Sequence, residues 1–121
     1  MKKRILIVED TEDNRAILRD LLTFNGFDLI EAADGEAGVA MAIKHRPDLI
    51  LMDIQLPIMN GYEATRRIRA VAELRHVPII AITSYAMAGD AVRAIEAGCT
   101  AYVAKPFSPR AVLARIKEYI L

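Results

Sequence analysis

The sequence predicts an α/β fold, a doubly wound parallel sheet of five strands, each followed by a helix. Three observations carry that prediction. Short apolar runs of strand length alternate with helical stripes from Arg4 to the C-terminus. The third run, Asp48-Leu49-Ile50-Leu51-Met52-Asp53, is apolar on both faces, as at the centre of a helix-covered parallel sheet. At 121 residues and 54% hydrophobic, the chain has the size of one domain, residues 1–121, and enough apolar material to cover a sheet on both sides.

Arg4-Ile5-Leu6-Ile7-Val8 reads as the first strand. Asp13-Asn14 offers an N-cap to the following helix, whose stripe of Ile17, Leu18, Leu21 and Leu22 stops near Asn25-Gly26. Phe27 to Ala32 is a second strand, less buried because acids stand among Phe27, Leu29 and Ile30. Asp34-Gly35 opens a helix with Ala37, Ala40 and Met41 inward and Ile43 off the stripe, ended by Pro47. After a loop from Ile54 to Gly61, the next helix spans Tyr62 to Ala72, with Ala64, Ile68 and Val71 inward. Arg66, Arg67 and Arg69 then form a solvated face. Val77 to Ile82 is the fourth strand, followed by a small-residue helix from Gly89 to Ala97, closed by Gly98. Ala101 to Ala104 is the fifth. Ser108-Pro109, an N-cap with proline at the first helical position, opens a last helix lined by Val112, Leu113, Ile116 and Ile120.

Right-handed crossovers place helices on both faces of such a sheet. Pattern alone leaves the strand order open. The order 2-1-3-4-5 is favoured because it makes the ends of strands one and three neighbours at the switch point, with Asp10 beside Asp53.

The strand ends carry the chemistry. Strand one ends on Glu9 and Asp10, strand three on Asp53, strand four on Thr83-Ser84 and strand five on Lys105-Pro106. In a parallel sheet these ends share the edge at which ligands bind. Three carboxylates at close range repel one another unless a cation joins them. The donor set is all oxygen, with no Cys or His, which suits Mg2+ rather than zinc. Asp10 and Asp53 fit direct coordination, Glu9 fits a metal-bound water, and the Gln55 backbone carbonyl is within reach in sequence. A carboxylate can also attack phosphorus and hold the phosphoryl group as an acyl phosphate. Asp53, at a central strand end, is best placed for that. Lys105 then supplies fixed positive charge and Thr83 a hydroxyl donor, and a cis Lys105-Pro106 bond would turn Lys105 inward. Each residue alone has an ordinary explanation: strand-end acids cap helices, Thr83 is a β-branched strand residue, and Lys105 is a solvated charge. The conjunction decides it.

Several classes are disfavoured. Lys+Arg and Asp+Glu both number 16, so no charge bias points to nucleic acid or anionic lipid. Met1-Lys2-Lys3-Arg4 is followed by a short apolar run and then acid, too short for a secretory signal, and no stretch reaches membrane-span length. The one cysteine, Cys99, excludes an internal disulfide, fits a cytoplasmic setting and reads as a small buried residue. His45 and His76 fall away from the strand ends.

Along essentially its whole length the chain resembles the receiver domain of two-component response regulators. The matching segments are Ile5 to Asp10, Leu49 to Gly61, Val77 to Thr83 and Gly98 to Phe107. The resemblance implies a flavodoxin-like (βα)5 domain. It implies that Asp53 accepts phosphoryl from a histidine kinase or histidine phosphotransfer protein, with Mg2+ held by Glu9, Asp10, Asp53 and the Gln55 carbonyl. It further implies that Thr83 moves toward the phosphoryl group and Tyr102, otherwise a half-buried aromatic, changes rotamer. That movement remodels the face of helix four, strand five and helix five for a downstream protein target. The helix from Asn14 to Leu22 becomes the kinase-docking surface, and Gln55 and Tyr85 flank the approach of water. The protein is expected to be a monomer or weak dimer, acting alone in the manner of chemotaxis-type or cell-division-type regulators. A receiver excised from a hybrid sensor kinase or multidomain regulator is the alternative, since Glu9 to Arg15, Met52 to Gln55 and Tyr62 to Thr65 also look like receivers attached to hybrid sensor kinases.

Two other classes are weaker. A haloacid-dehalogenase-type phosphatase places glycine and threonine after its second acid, where this chain has Asp13 and Asn14. A flavodoxin-type flavin binder needs a hydroxyl- and glycine-rich loop after strand one. Glu9 to Asp13 has the wrong charge.

Overall fold

The computed structural model of the chain describes residues 2–83 and 88–120, with only the backbone for 88–90. The strands are β1 (Arg4–Val8), β2 (Asp28–Ala32), β3 (Leu49–Asp53), β4 (Ile79–Thr83) and β5 (Ala101–Ala104). The helices are α1 (Glu12–Phe24), α2 (Gly35–His45), α3 (Gly61–Arg69), α4 (Ala88–Ala97) and α5 (Pro109–Ile120), with a short 3-10 turn at Ala72–Leu74. All strands pair in parallel in the order β2-β1-β3-β4-β5, as the acid placement suggested.

Two apolar layers hold the sheet. On one face Leu6, Val8, Ile50, Met52, Ile79 and Ala81 meet α2, α3 and α4. On the other, Ile5, Ile7, Leu49, Leu51, Ile80 and Ile82 meet Leu18 and Leu22 of α1 and Val112 and Ile116 of α5. Every residue of β3 and β4 is buried, whereas β2 at the edge is mostly half-exposed, matching the acids in its sequence.

Four local expectations change. Helix α1 starts at Glu12, just ahead of Asp13-Asn14, with Thr11 at the N-cap and no side-chain cap bond. Asn14 instead turns its amide to Glu9. In α2, Ala40 is exposed, and the buried positions are Gly35, Gly38 and Ala42. A Cβ on Gly38 would lie 2.9 Å from both Val8 methyls, so glycine sets how closely α2 approaches β1. Helix α3 ends at Arg69, before the 3-10 turn. Arg69 is not part of a solvated face, unlike Arg66 and Arg67. Its guanidinium donates to the carbonyls of Gly98 (2.9 Å), Leu74 (2.9 Å) and Val77 (2.6 Å), joining α3 to the turns before β4 and β5.

Candidate functional site

Parallel pairing brings the predicted strand ends together. Glu9 and Asp53 are 2% and 1% exposed, and Asp10 beside them faces solvent. Carboxylate oxygens of these three residues lie within 4.8 Å of one another. The Lys105 ammonium bridges the two buried acids, 3.0 Å from Asp53 Oδ2 and 3.1 Å from Glu9 Oε1. Strand alternation explains this grouping. Glu9, Asp53 and Lys105 continue the parity of Ile7, Leu51 and Val103, which face α1 and α5. Thr83 has the opposite parity and shares a sheet face with Tyr102, since Ala81 pairs with Tyr102 and Thr83 with Ala104.

The backbone supports the cluster. Gly61 packs so closely that a Cβ would lie 2.3 Å from the Asp53 carbonyl oxygen, and its N–H donates to Ile54 O at 2.9 Å. The loop carrying Gln55 is thereby folded back under Asp53. The Gln55 N–H donates to Asp53 Oδ1 at 3.1 Å, and the Thr11 N–H donates to Glu9 Oε2 at 3.0 Å. Lys105 N donates to Thr83 O at 2.7 Å, and the Lys105-Pro106 bond is cis.

The charges answer to this crowding. Burial, then the Glu9 charge, pushes the Asp53 carboxyl up to about 6 against the pull of Lys105. Asp10 is raised for the same two reasons, burial first and Glu9 second. Burial also works to raise Glu9, but the Thr11 N–H and the Lys105 ammonium outweigh it and hold Glu9 below the usual range. Burial works to lower Lys105; its bonds to Asp53 and Glu9 outweigh that and hold it above its ordinary value.

The cluster fits a hard divalent cation by its donors: oxygen only, one solvent-facing carboxylate, and two buried ones whose repulsion a cation relieves. Thr83 is buried at the end of β4, and Tyr102 on β5 is 38% exposed, the half-buried aromatic expected there. Ser84 and Tyr85 lie outside the described residues. Beside Lys105, a groove of about 500 Å3 runs between Asn14 and Ile17 of α1 and Pro106, Phe107 and Pro109. The exposed α4 side chains Val92 and Ile95 line a shallower apolar depression of about 310 Å3. The sequence reading missed Arg15, whose guanidinium donates to the Glu9 carbonyl at 2.8 Å.

A 2-1-3-4-5 sheet with an acid cluster at its switch point, bridged by a lysine from the last strand, defines a class of signalling domain. Residues 5–117 match the family model of the response regulator receiver domain. The chain belongs to that family, the receivers of two-component signalling. It is 45% identical to the polar-differentiation response regulator DivK of Brucella anthropi over 120 residues, 99% of this chain and 98% of that protein. The receiver domain of the sensor histidine kinase PA1611 of Pseudomonas aeruginosa superposes with a TM-score of 0.92 at 39% identity, covering 99% of this chain and 98% of that one. That receiver holds a magnesium ion coordinated in its active-site cleft. The chemotaxis regulator CheY4 of Vibrio cholerae superposes with a TM-score of 0.94 at 27% identity, covering 99% and 100% of the two chains. Among the described residues, no helix is long and apolar enough to cross a membrane.

Proposed function

We propose that this protein is a phosphoryl-accepting receiver in a cytoplasmic phosphorelay, with Asp53 as the acceptor. The observation that carries the reading is the buried Asp53 carboxylate, 3.0 Å from Lys105 and grouped with Glu9 and Asp10. An Asp53 oxygen attacks the phosphorus of a phosphohistidine on a histidine kinase or histidine phosphotransfer protein. The phosphorus–nitrogen bond breaks, the imidazole nitrogen keeps the electron pair, and Asp53 becomes an acyl phosphate. Glu9, Asp10, Asp53 and the Gln55 carbonyl would hold Mg2+, which supplies charge neutralisation when bound. Lys105 orients the phosphoryl oxygens, and Thr83 donates its hydroxyl to one of them. The protein thus acts only on its own Asp53, forming the acyl phosphate and later losing it to water.

The switch is a population shift. Phosphorylation favours an active arrangement only by contacts made there and not in the resting one. Moving an equilibrium from 1:99 to 99:1 takes roughly 5.5 kcal/mol. Two or three charge-assisted hydrogen bonds from Thr83 and Lys105, at roughly 1.5–3 kcal/mol each, give about 3–9 kcal/mol, a range that includes the amount needed. The phosphodonor docks on α1, where the groove beside Lys105 is apolar and opens toward the site. The downstream protein target docks on the face of α4, β5 and α5, supported by the exposed Val92, Ile95 and Tyr102. The protein works as a monomer or weak dimer. Service as the receiver of a longer sensor kinase is the second reading, favoured by the likeness to the PA1611 receiver.

Acetyl phosphate with Mg2+ tests the assignment. One phosphoryl group per chain is expected by intact mass, and Asp53→Asn removes it. Equal labelling of that variant would reject Asp53 as the acceptor.

A further inference from the structure

The geometry assigns Arg15 a positioning role: it fixes the turn that presents Glu9 and Asp10 to a divalent cation. The inference rests on the receiver reading and concerns a residue outside the donor cluster. Arg15 closes the first turn of α1, and its side chain is only 16% exposed. Its guanidinium uses three nitrogens on three segments. Nη1 donates to the Glu9 carbonyl at 2.8 Å, Nη2 pairs with Glu12, and Nε lies 3.5 Å from Glu31 Oε1 on β2.

The two acid contacts are shared. Arg19, one turn further along α1, holds Glu31 with a two-pronged grip at 2.8 Å and 2.8 Å and reaches Glu12 at 3.1 Å. Glu12 and Glu31 therefore keep a cation without Arg15. The bond to the Glu9 carbonyl belongs to Arg15 alone of the two arginines. That carbonyl lies in the peptide joining Glu9 to Asp10, so its orientation sets where both carboxylates point relative to Asp53. A planar fork spreads its donors over three nitrogens in fixed directions and can tie a carbonyl and two carboxylates that lie on different sides of it; an ammonium carries all its donors on one atom at the end of a flexible stem. The role is one of aim rather than charge.

Mg2+ titration of the full chain without phosphodonor, by calorimetry or NMR shift changes, tests this directly. Arg15→Lys keeps the charge and loses the fork. Partners that orient metal ligands are worth roughly 10–100-fold in affinity. Arg15 orients a turn rather than a ligand atom, so its loss is expected to weaken Mg2+ binding about three- to tenfold. Arg19→Lys, which disturbs the same surface acids but not the Glu9 carbonyl, is expected to stay within about twofold of wild type. Thermal melts in EDTA establish that each variant is folded. Arg15→Gln is the second variant: loss of a nearby positive charge would by itself tighten cation binding, so weaker binding there reports lost aim. Affinity unchanged or tighter in both Arg15 variants overturns the role while leaving the receiver reading intact. No Mg2+ binding by the wild-type chain would overturn the proposed Mg2+-dependent phosphoryl acceptance itself.

Discussion

Both edges of the sheet carry charged residues, and most of those charges meet different fates. At the amino edge Lys2, Lys3, Arg4, Asp28, Arg46 and Asp48 all remain exposed. At the carboxyl edge Glu9 and Asp53 are taken almost wholly out of water, together with most of Lys105. Both edges terminate the same strands, so the fold does not require the difference. Charges left in water cost the protein little and hold little together. Charges buried against like charge cost stability, and a protein keeps such an arrangement where something binds to it. The comparison thus separates a scaffold edge from a working one.

Removing Lys105 breaks the contrast most severely. Lys105→Ala leaves Glu9 and Asp53 facing each other, and losing one partner of a buried pair costs about 3–5 kcal/mol. Denaturation in EDTA at pH 7.5 measures that loss, and Mg2+ is expected to restore part of it. Acetyl phosphate still labels the variant, more slowly, because the nucleophile remains. Contact with the phosphoryl group is lost, so phosphorylation no longer shifts the NMR resonances of α4 and β5. Full α4 and β5 shifts in phosphorylated Lys105→Ala would show that another group does the coupling.

The pH dependence sharpens the same contrast. Asp53 titrates at about 6 in the fold, above its ordinary 3.8, so the folded state holds this proton more tightly than the unfolded one. That stabilisation is complete below about 3.8 and disappears as pH rises through about 6. Glu9 has the opposite sign, being lowered, so its contribution is already complete above its ordinary 4.5. Between about pH 5 and 7, metal-free protein is therefore expected to lose stability as Asp53 ionises. Mg2+ reverses the loss, because the cation takes the place of the proton. Asp53→Asn is expected to flatten the metal-free curve and abolish the Mg2+ response. A wild-type midpoint that climbs from pH 5 to 7 in EDTA contradicts this account of the cluster.

These edges were not equally legible in the sequence. Strand ends could be read because apolar runs stop on polar residues, and the acids at the ends of β1 and β3 even selected the strand order. The division of site residues between faces was also available, since strand parity separates Glu9, Asp53 and Lys105 from Thr83. What escaped were side chains that act on backbone carbonyls. Arg69 shared a charged-looking stretch with Arg66 and Arg67, yet it follows buried Thr65 by four residues and so lies on its stripe. Arg15 gave no signal at all, because its target is a backbone carbonyl and any residue supplies one. The α2 contact was misplaced for a related reason: patterns favour large residues, and the closest approach is made by Gly38.

The smallest effect belongs to the other edge. Lys3 is exposed at the start of β1, at the opposite end of the strand from Glu9. Surface substitutions away from caps and buried networks change stability by about 0.5 kcal/mol or less. Lys3→Ala is therefore expected to leave chemical denaturation, Mg2+ affinity and the rate of labelling by acetyl phosphate at wild-type values. The electrostatic reach supports this, since screening at physiological salt extends about 8 Å and a five-residue strand is about twice as long. A Lys3→Ala variant with altered Mg2+ affinity would mean that charge at the amino edge is felt across the whole sheet, and the division between a working edge and a scaffold edge would have to be abandoned.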